Sequence, residues 1–259
     1  MTEAVFTVEG VQVRTGPSAA GPWNPTMQHG GAPSSLIAWT AEQMPSPAPM
    51  RIARVTAELL RPVPVADLEI ATEVIRQGRK IQLVQVRLSA KGVEVARGMV
   101  LKVRVEEMNL PDGVGGPPLD LDHPDSITPE PKVGRGGNAF GEIFTMRRLR
   151  GGFGRGGPAA VWFRLNTPMV AGFENSPAIR AVAAAGFSNG ISAVLPFKDW
   201  TFVNGDLTVS FARLPRGEWI ASNAESWIGP DGAGLAMTRL ADLDGYFGRA
   251  VQSLVVERR

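Results

Sequence analysis

The first residues of this chain that could do chemistry stand at the start of a predicted helix. Gln28-His29-Gly30-Gly31 lead into the segment GAPSSLIAWTAEQM, whose apolar residues recur at helical spacing. Glycines at a helix start let a ligand approach the N–H groups of the first turn, which stabilise negative charge on a carbonyl oxygen. A tight turn in which His29 packs or caps the helix fits the same residues, so both interpretations stay open.

Two short motifs match catalytic patterns in letters only. Gly186–Gly190 reads G-x-S-x-G, but a serine-hydrolase elbow follows a strand and needs a later histidine, whereas an Ala-rich helix precedes this Ser. The two histidines, His29 and His123, both lie upstream of it. Gly152–Gly157 reads G-x-G-x-x-G but runs into a proline instead of opening a helix. We predict neither a serine nucleophile nor a dinucleotide-binding loop.

Three Arg-Gly-Gly triplets, at 135–137, 150–152 and 155–157, form a cationic stretch in the middle of the chain. Flexible segments of this kind bind single-stranded RNA when aromatic side chains supply stacking. Few aromatics lie nearby, so a solvated linker is the favoured interpretation. Contact with the phosphates of a nucleotide-containing substrate is a second possibility.

Composition bounds the remaining classes. The 259 residues include no Cys, 30 Gly and 21 Pro, and carry a net charge of +2. Disulfides, thiolate chemistry and Cys-ligated metals are thereby excluded, and bulk charge gives no argument for nucleic acid. Asp120, Asp122, His123 and Asp125 have no second cluster to complete a metal site, and we predict an exposed acidic loop. Without a long apolar run or a signal-peptide pattern, we expect a cytoplasmic protein that does not bind membranes.

Most of the chain alternates apolar and polar residues at the two-residue period of half-buried strands. Turn dipeptides such as Asp-Gly separate these segments, which predicts antiparallel hairpins. The segments are Glu69–Arg76, Lys80–Ser89, Val93–Val105, Trp200–Arg213, Glu218–Ile228 and Arg249–Val256.

Two helices interrupt this pattern, and each is followed by a series of strands. The first is predicted over Gly31–Met44. The second is predicted over Ser176–Asn189, where Ser176 is the N-cap, a proline follows at the first helical position and Gly190 ends the helix.

The two series are predicted to be one unit written twice. TAELLR at 56–61 aligns with TVSFAR at 208–213 at an offset of 152, and Arg97 meets Arg249 at the same offset. The predicted organisation is an N-terminal unit over 1–105, a linker over 106–158 and a C-terminal unit over 159–259.

Element order and local residues together resemble the type II acyl-CoA thioesterase family. The likeness is carried by Gly30-Gly31, by Arg61-Pro62, by NGDLT at 204–208 leading to Arg213, and by Gly248-Arg249 with Gln252. It implies an α+β double hotdog, in which two tandem units each wrap an antiparallel sheet around a central helix. It also implies hydrolysis of the thioester of acyl-CoA by an oriented water, without a metal or redox cofactor.

The resemblance places the family's catalytic Asp, Thr and Gln at three positions of this chain, and only one of them keeps the family's residue. Gln252 retains the Gln, Asn204 stands at the Thr, and Gly186, directly before Phe187, stands at the Asp that would be the general base. Losing a positioned base typically costs about 10²–10⁴-fold in rate. Asp206, Glu58 and His29 are candidate substitutes. A structural role at a strand edge is an equal alternative for Asp206.

The sequence therefore predicts an acyl-CoA thioesterase with weakened activity. The predicted catalytic residues are Gln252, Asn204 and Asp206. The predicted substrate-binding residues are His29, Gly30, Gly31, Gly186 and Phe187. A double hotdog that binds acyl-CoA without hydrolysing it is the alternative, and RNA binding through the Arg-Gly-Gly stretch is a third hypothesis. A hydratase is disfavoured because no Asp follows His29 within a few residues. Hotdog sheet edges commonly associate, so a homodimer is expected.

Overall fold

The computed structural model describes residues 3–129 and 139–259 of the chain. These residues contain thirteen strands and four α-helices. In chain order they are β1 Phe6–Glu9, β2 Gln12–Thr15, α1 Gly31–Gln43, β3 Met50–Glu58, β4 Leu68–Gln77, β5 Ile81–Ala90, β6 Val93–Arg104, α2 Ala139–Glu142, β7 Phe144–Arg150, β8 Ala159–Leu165, α3 Pro177–Ala185, α4 Ser188–Ile191, β9 Trp200–Asn204, β10 Asp206–Phe211, β11 Trp219–Ile228, β12 Ala233–Asp242 and β13 Gly245–Arg258.

The described strands join into one antiparallel sheet with β3 and β10 at its centre. The order is β1-β2-β4-β5-β6-β3-β10-β13-β12-β11-β8-β7, and β9 pairs with β13. Between β3 and β10, Thr56 pairs with Thr208, and their hydroxyl oxygens are 3.3 Å apart. These two residues differ by the predicted offset of 152. A residue pairs with its own counterpart only where an approximate twofold axis passes between them, so the axis lies here.

The register of the sheet follows the same offset in both halves. The pairing of β5 with β6 is interrupted after Leu88, and that of β12 with β13 is interrupted after Leu240. β9 and β10 together correspond to β3, because the irregularity after Ile52 in β3 has its counterpart at Gly205, which separates β9 from β10. Trp200–Arg213, predicted as one strand, is therefore two. The predicted double hotdog is confirmed.

The helices pack inside this sheet, and the core lies between them and the strands. α1 is buried from Gly31 to Ala41, which is why it lacks a polar face. At α3, Ser176 caps the helix by accepting from the N–H of Ile179 at 3.2 Å, as predicted. The predicted end at Gly190 is wrong: α3 ends at Ala185, and Gly190 lies within the short helix α4.

The segment predicted as a linker contains ordered elements in its described part. β7 pairs with β8, and the glycine-rich turn between them carries the Arg-Gly-Gly triplets at 150–152 and 155–157. The triplet at 135–137 lies outside the described residues. The acidic loop is held on the sheet, because Asp120 accepts from the hydroxyl of Tyr246 and the Asp122 carbonyl accepts from the indole of Trp162.

No helix in the described part of the chain is both long and apolar enough to span a bilayer.

Candidate functional site

A cavity of about 1280 Å³ opens between the start of α1, the α3–α4 turn, β9 and the turn after β7. It is larger than the ~300–1,000 Å³ typical of small-ligand sites. Most of its wall is apolar, with contributions from Trp23, Met27, Leu59, Val63, Phe153, Leu195, Phe197 and Phe202. Such a wall suits a long hydrocarbon chain.

The start of α1 lies in this wall, as the helix-opening glycines predicted. The Nδ1 of His29 accepts from the N–H of Gly31 at 3.1 Å, and the His29 carbonyl accepts from the N–H of Ala32 at 2.8 Å. Gly30 lines the cavity, and no acceptor for its N–H lies within reach among the described residues. The N–H of Gly30 therefore has no partner among the described residues, whereas that of Gly31 is occupied by His29.

His29 is a neutral side chain in this structure. Its ring stacks on Phe140 with centroids 4.8 Å apart and lies 4.5 Å from the ring of Phe187. Burial lowers the pKa of His29 to about 3. The imidazole that caps α1 therefore carries no charge at neutral pH. It is a poor proton acceptor there.

Gly186 lies against the start of α1 with no room for a side chain. A Cβ at this position would lie 2.6 Å from Gly31 Cα and 3.0 Å from Gly31 N, which are backbone atoms. The two helices meet here because both positions are glycine. The position at which the family resemblance places an Asp is closed to any side chain in this backbone arrangement.

Asn204 lies beside Gly30 in the cavity wall. A Cβ on Gly30 would come within 2.7 Å of Asn204 Nδ2, so the amide rests directly on the glycine. Asp206, two residues later, is not in the wall. Its carboxylate accepts from the N–H of Ser253 at 2.5 Å, a bond that holds β10 to β13. This is the structural role that the sequence analysis weighed for Asp206.

Gln252 lies wholly buried behind the wall, one layer from the cavity. Its Oε1 accepts from the backbone N–H of Asn189 at 3.0 Å, and its Nε2 donates to the Gly186 carbonyl at 3.4 Å. Asn189 itself lines the cavity. Its Nδ2 donates to the Phe202 carbonyl at 2.6 Å.

The sequence-predicted residues are thus divided between the wall and its support. His29, Gly30, Gly186 and Asn204 line the cavity, whereas Gly31, Phe187, Asp206 and Gln252 lie behind it or beside it. Glu58, the other candidate base, is exposed and does not line the cavity either.

Asn189 was missed by the sequence analysis. An amide in a segment that is otherwise Ala-rich and buried requires hydrogen-bond partners, and this was the available signal.

The ionic groups of the wall are all basic. Arg61, Arg155 and Lys198 line the cavity, and none of its described lining residues is Asp or Glu. The glycine-rich turn predicted as solvated linker therefore forms part of the wall, through Phe153 to Gly156. This charge distribution favours an anionic ligand and provides no carboxylate to accept a proton.

Comparison with known families agrees with this geometry. A model of the acyl-CoA thioesterase N-terminal domain matches residues 19–103, and one of the C-terminal domain matches residues 122–256. The chain belongs to the acyl-CoA thioesterase family. A search of curated protein sequences found no significant match.

Solved structures share the fold of this thioesterase-family chain at low sequence identity. A hotdog-fold protein of unknown function from Alicyclobacillus acidocaldarius is 15% identical, with a TM-score of 0.77 over 97% of this chain and 95% of that one. The tesB protein of Mycobacterium avium subsp. paratuberculosis is 14% identical, with a TM-score of 0.71 over 96% and 94%. An acyl-CoA thioesterase II of Mycobacterium marinum is also 14% identical, with a TM-score of 0.66 over 98% and 94%.

The described residues contain no group of three or more His, Asp or Glu side chains that could hold a metal ion.

Proposed function

We propose that this protein binds acyl-CoA in the cavity and hydrolyses its thioester slowly, through an oriented water and without a general base. The observation that carries the proposal is the composition of the wall. It combines a backbone donor at Gly30 with the adjacent amide of Asn204, yet it contains no carboxylate.

The reaction needs few groups from the protein. The water oxygen bonds to the thioester carbon, the C–S bond breaks, and the products are a carboxylic acid and the CoA thiol. In this proposal the N–H of Gly30, which lines the cavity, stabilises the carbonyl oxygen as it gains negative charge. Amides of Asn orient water but do not accept its proton at neutral pH. That proton therefore passes to hydroxide in the solvent, so the rate rises with hydroxide concentration, and the departing CoA thiolate takes a proton from solvent.

The basic groups of the wall support an acyl-CoA ligand. CoA carries several phosphates, and Arg61, Arg155 and Lys198 present positive charge where a phosphate entering the cavity would meet it. The apolar remainder of the wall suits the acyl chain. A cytoplasmic location, a role in lipid metabolism and a homodimer stay predictions from the sequence.

Thiol release tests this function. Purified protein is given acyl-CoA substrates from short to long chains, and free CoA thiol is measured over time. We expect saturable release, and we expect Asn204→Ala to lower kcat about tenfold, as the loss of one hydrogen bond implies. Asn166→Ala is the matched control, because Asn166 bonds to Thr145 on the surface, away from the cavity. Release no faster than in the absence of protein would contradict hydrolysis.

A binding protein without turnover is the second candidate, favoured by the closed position at Gly186. Calorimetric titration with acyl-CoA separates the two functions. Saturable binding without thiol release would establish the second function. The absence of binding for every chain length would exclude both.

A further inference from the structure

The two glycine motifs that matched catalytic patterns in letters only meet in the cavity wall. Phe153 lies within the G-x-G-x-x-G match, and Gly190 is the last residue of the G-x-S-x-G match. Both residues line the cavity. The hydrolysis proposed above uses neither of them, so their place in the wall has another explanation.

The glycine-rich turn between β7 and β8 has a backbone path that depends on glycine. All five glycines at 151–157 have φ between +56° and +106°, a region that other residues rarely adopt. The N–H of Arg155 donates to the Gly152 carbonyl at 3.1 Å and closes the turn. The N–H of Gly157 donates to the Ala193 carbonyl at 2.9 Å, which ties the turn to the chain just after α4.

This turn presents one apolar side chain, Phe153, to the cavity. The residue is half-buried, whereas Gly154, Arg155 and Gly156, which follow it, are exposed. Its ring packs edge-on against Phe187 in the main core, with the centroids 6.0 Å apart. Phe153 therefore lies between the interior of the cavity and the exposed outer side of the turn.

Gly190 provides the space for this ring. A Cβ on Gly190 would lie 3.2 Å from Cε1 and 3.7 Å from Cδ1 of Phe153. The ring therefore rests directly on the backbone of α4. A side chain at position 190 would displace it.

Phe153 also lies close to the proposed reacting group. The ring of Phe187 is 4.5 Å from that of His29 and 6.0 Å from that of Phe153, measured between centroids. His29 directly precedes Gly30, whose N–H is proposed to bind the thioester carbonyl. One ring therefore separates the start of α1 from Phe153, and an acyl chain that leaves the carbonyl toward α4 meets Phe153.

The other aromatic side chains of the wall are nearer to solvent. Trp23, Phe197 and Phe202 form a separate cluster with ring centroids 4.1 to 5.5 Å apart. Phe197 is 41% exposed, and Lys198 beside it is exposed as well. A charged and exposed side suits the phosphates of CoA, which leaves the side of Phe153 to the acyl chain.

We propose that Phe153 sets the longest acyl chain that the cavity accepts, and that Gly190 positions its ring. The proposal rests on the acyl-CoA binding proposed above and names the residue that selects among acyl groups. The chain runs from Gly30 along the α3–α4 turn, and its terminal methyl group stops against the ring. Each methylene buried before that point strengthens binding about fourfold, and methylenes beyond it add nothing.

Binding of a series of non-hydrolysable thioether analogues of acyl-CoA, from short to long chains, gives the first test. In the wild type, the calorimetric Kd should fall about fourfold per methylene up to a limiting length and then stay constant. In Phe153→Ala it should be unchanged for short chains and continue to fall beyond that limit. Phe173→Ala is the control, because Phe173 is 47% exposed and lies outside the cavity wall. The same limit in the wild type and Phe153→Ala, or an equal shift in Phe173→Ala, would overturn the proposal.

The size of the side chain at position 153 gives a test that a merely structural role would not pass. The limiting length should be shorter in Phe153→Trp than in the wild type, longer in Phe153→Leu and longest in Phe153→Ala. Limits that do not follow this order would contradict the proposal.

Gly190→Ala tests the positioning role. It should move the limit in the wild-type background, because its Cβ displaces the ring, and it should have no effect beside Phe153→Ala. An unchanged limit in Gly190→Ala, or an equal shift in both backgrounds, would overturn the role of Gly190.

A crystal structure with the analogue of limiting length locates the end of the chain directly. The expected result is a terminal methyl group within about 4.0–4.5 Å of the Phe153 ring. A chain that ends against Trp23, Phe197 and Phe202 instead would overturn the assignment and leave the proposed function standing. If no analogue of any length binds, the proposed function itself fails.

Discussion

The two halves of this molecule share a backbone but differ in what they bury. Where the second half has Asn204, Thr238 and Gln252, the first half has Ile52, Val86 and Val100 at the offset of 152. Gln252 and Val100 are both wholly buried. Duplication therefore supplied two equivalent scaffolds, and at these three positions only the second carries polar side chains.

Arg61 and Arg213 are equivalent at the same offset, but among the described residues only Arg213 has a buried carboxylate as its partner. Arg213 pairs with the buried carboxylate of Asp242 at 2.5 and 2.7 Å, whereas Arg61 has Ala90 at the position equivalent to Asp242. Burial alone would raise the pKa of Asp242, but hydrogen bonds from Arg213 and from backbone N–H groups hold it below its usual value. Arg213 is structural, and Arg61 is left to line the cavity.

Replacing each arginine by Ala should give the largest difference between the two halves, in stability for Arg213 and in ligand binding for Arg61. Arg213→Ala leaves the buried Asp242 carboxylate without its cation, held only by backbone N–H groups, and should lower the free energy of unfolding by about 3–5 kcal/mol. Arg61→Ala should change it by less than about 0.5 kcal/mol and weaken acyl-CoA binding instead. Denaturant unfolding and calorimetric titration measure the two effects. Equal losses of stability would show that the halves do not differ as described.

Substitution of Gly186 should lower stability by less than Arg213→Ala does. Gly186→Ala places a Cβ against the backbone of Gly31 and should cost about 1–3 kcal/mol. Gly205→Ala is the control in the same wall, because the nearest atom to its Cβ would lie at 3.9 Å. Gly186→Asp is expected to destabilise the protein further and to restore no activity. A stable, faster Gly186→Asp variant would contradict this packing.

His29 gives the smallest effect, and its sign follows from its lowered pKa. Between about pH 6.5 and pH 3 the unfolded chain binds a proton that the folded His29 does not, so stability falls as the pH is lowered. From pH 7 to 5.5 this amounts to about 1 kcal/mol.

The measurement for His29 is denaturant unfolding at both pH values. His29→Asn, which keeps an acceptor for the Gly31 N–H, should lose less stability over this range than the wild type. His123→Gln, in an exposed loop, should behave like the wild type. The same slope in all three proteins would exclude His29 as the titrating group.

The sequence was sufficient to predict those parts of the fold that follow from apolar–polar alternation, from the internal repeat and from helix N-capping. The offset of 152, the cap at Ser176 and most strands of the double hotdog follow from alternation and from turn chemistry. β1, β2, β3, β7, β8 and β12 lie outside the segments that alternation predicted as strands. For β7 and β8 the reason is that their arginine-rich and fully buried segments do not alternate.

The candidate site was harder to predict from the sequence, because the sequence does not show which side chains reach the cavity wall and which lie behind it. Gln252 and Asn204 are equally visible in the sequence, but only the structure shows that the first supports the wall and the second lines it. The role of the glycine-rich turn depends on the folding of β7 onto β8, which brings Phe153 and Arg155 to the cavity. Asp206 was a candidate base by type, and its bond to Ser253 is a tertiary contact.

The pH dependence of thiol release tests the central claim most directly. With a cavity wall that holds no carboxylate and a His29 that stays neutral, log kcat/KM should rise by about one unit per pH unit between pH 5 and pH 9, since hydroxide supplies the missing base. A plateau reached through an inflection in the acidic range would mean that a carboxylate of this protein takes the proton, and would contradict the account.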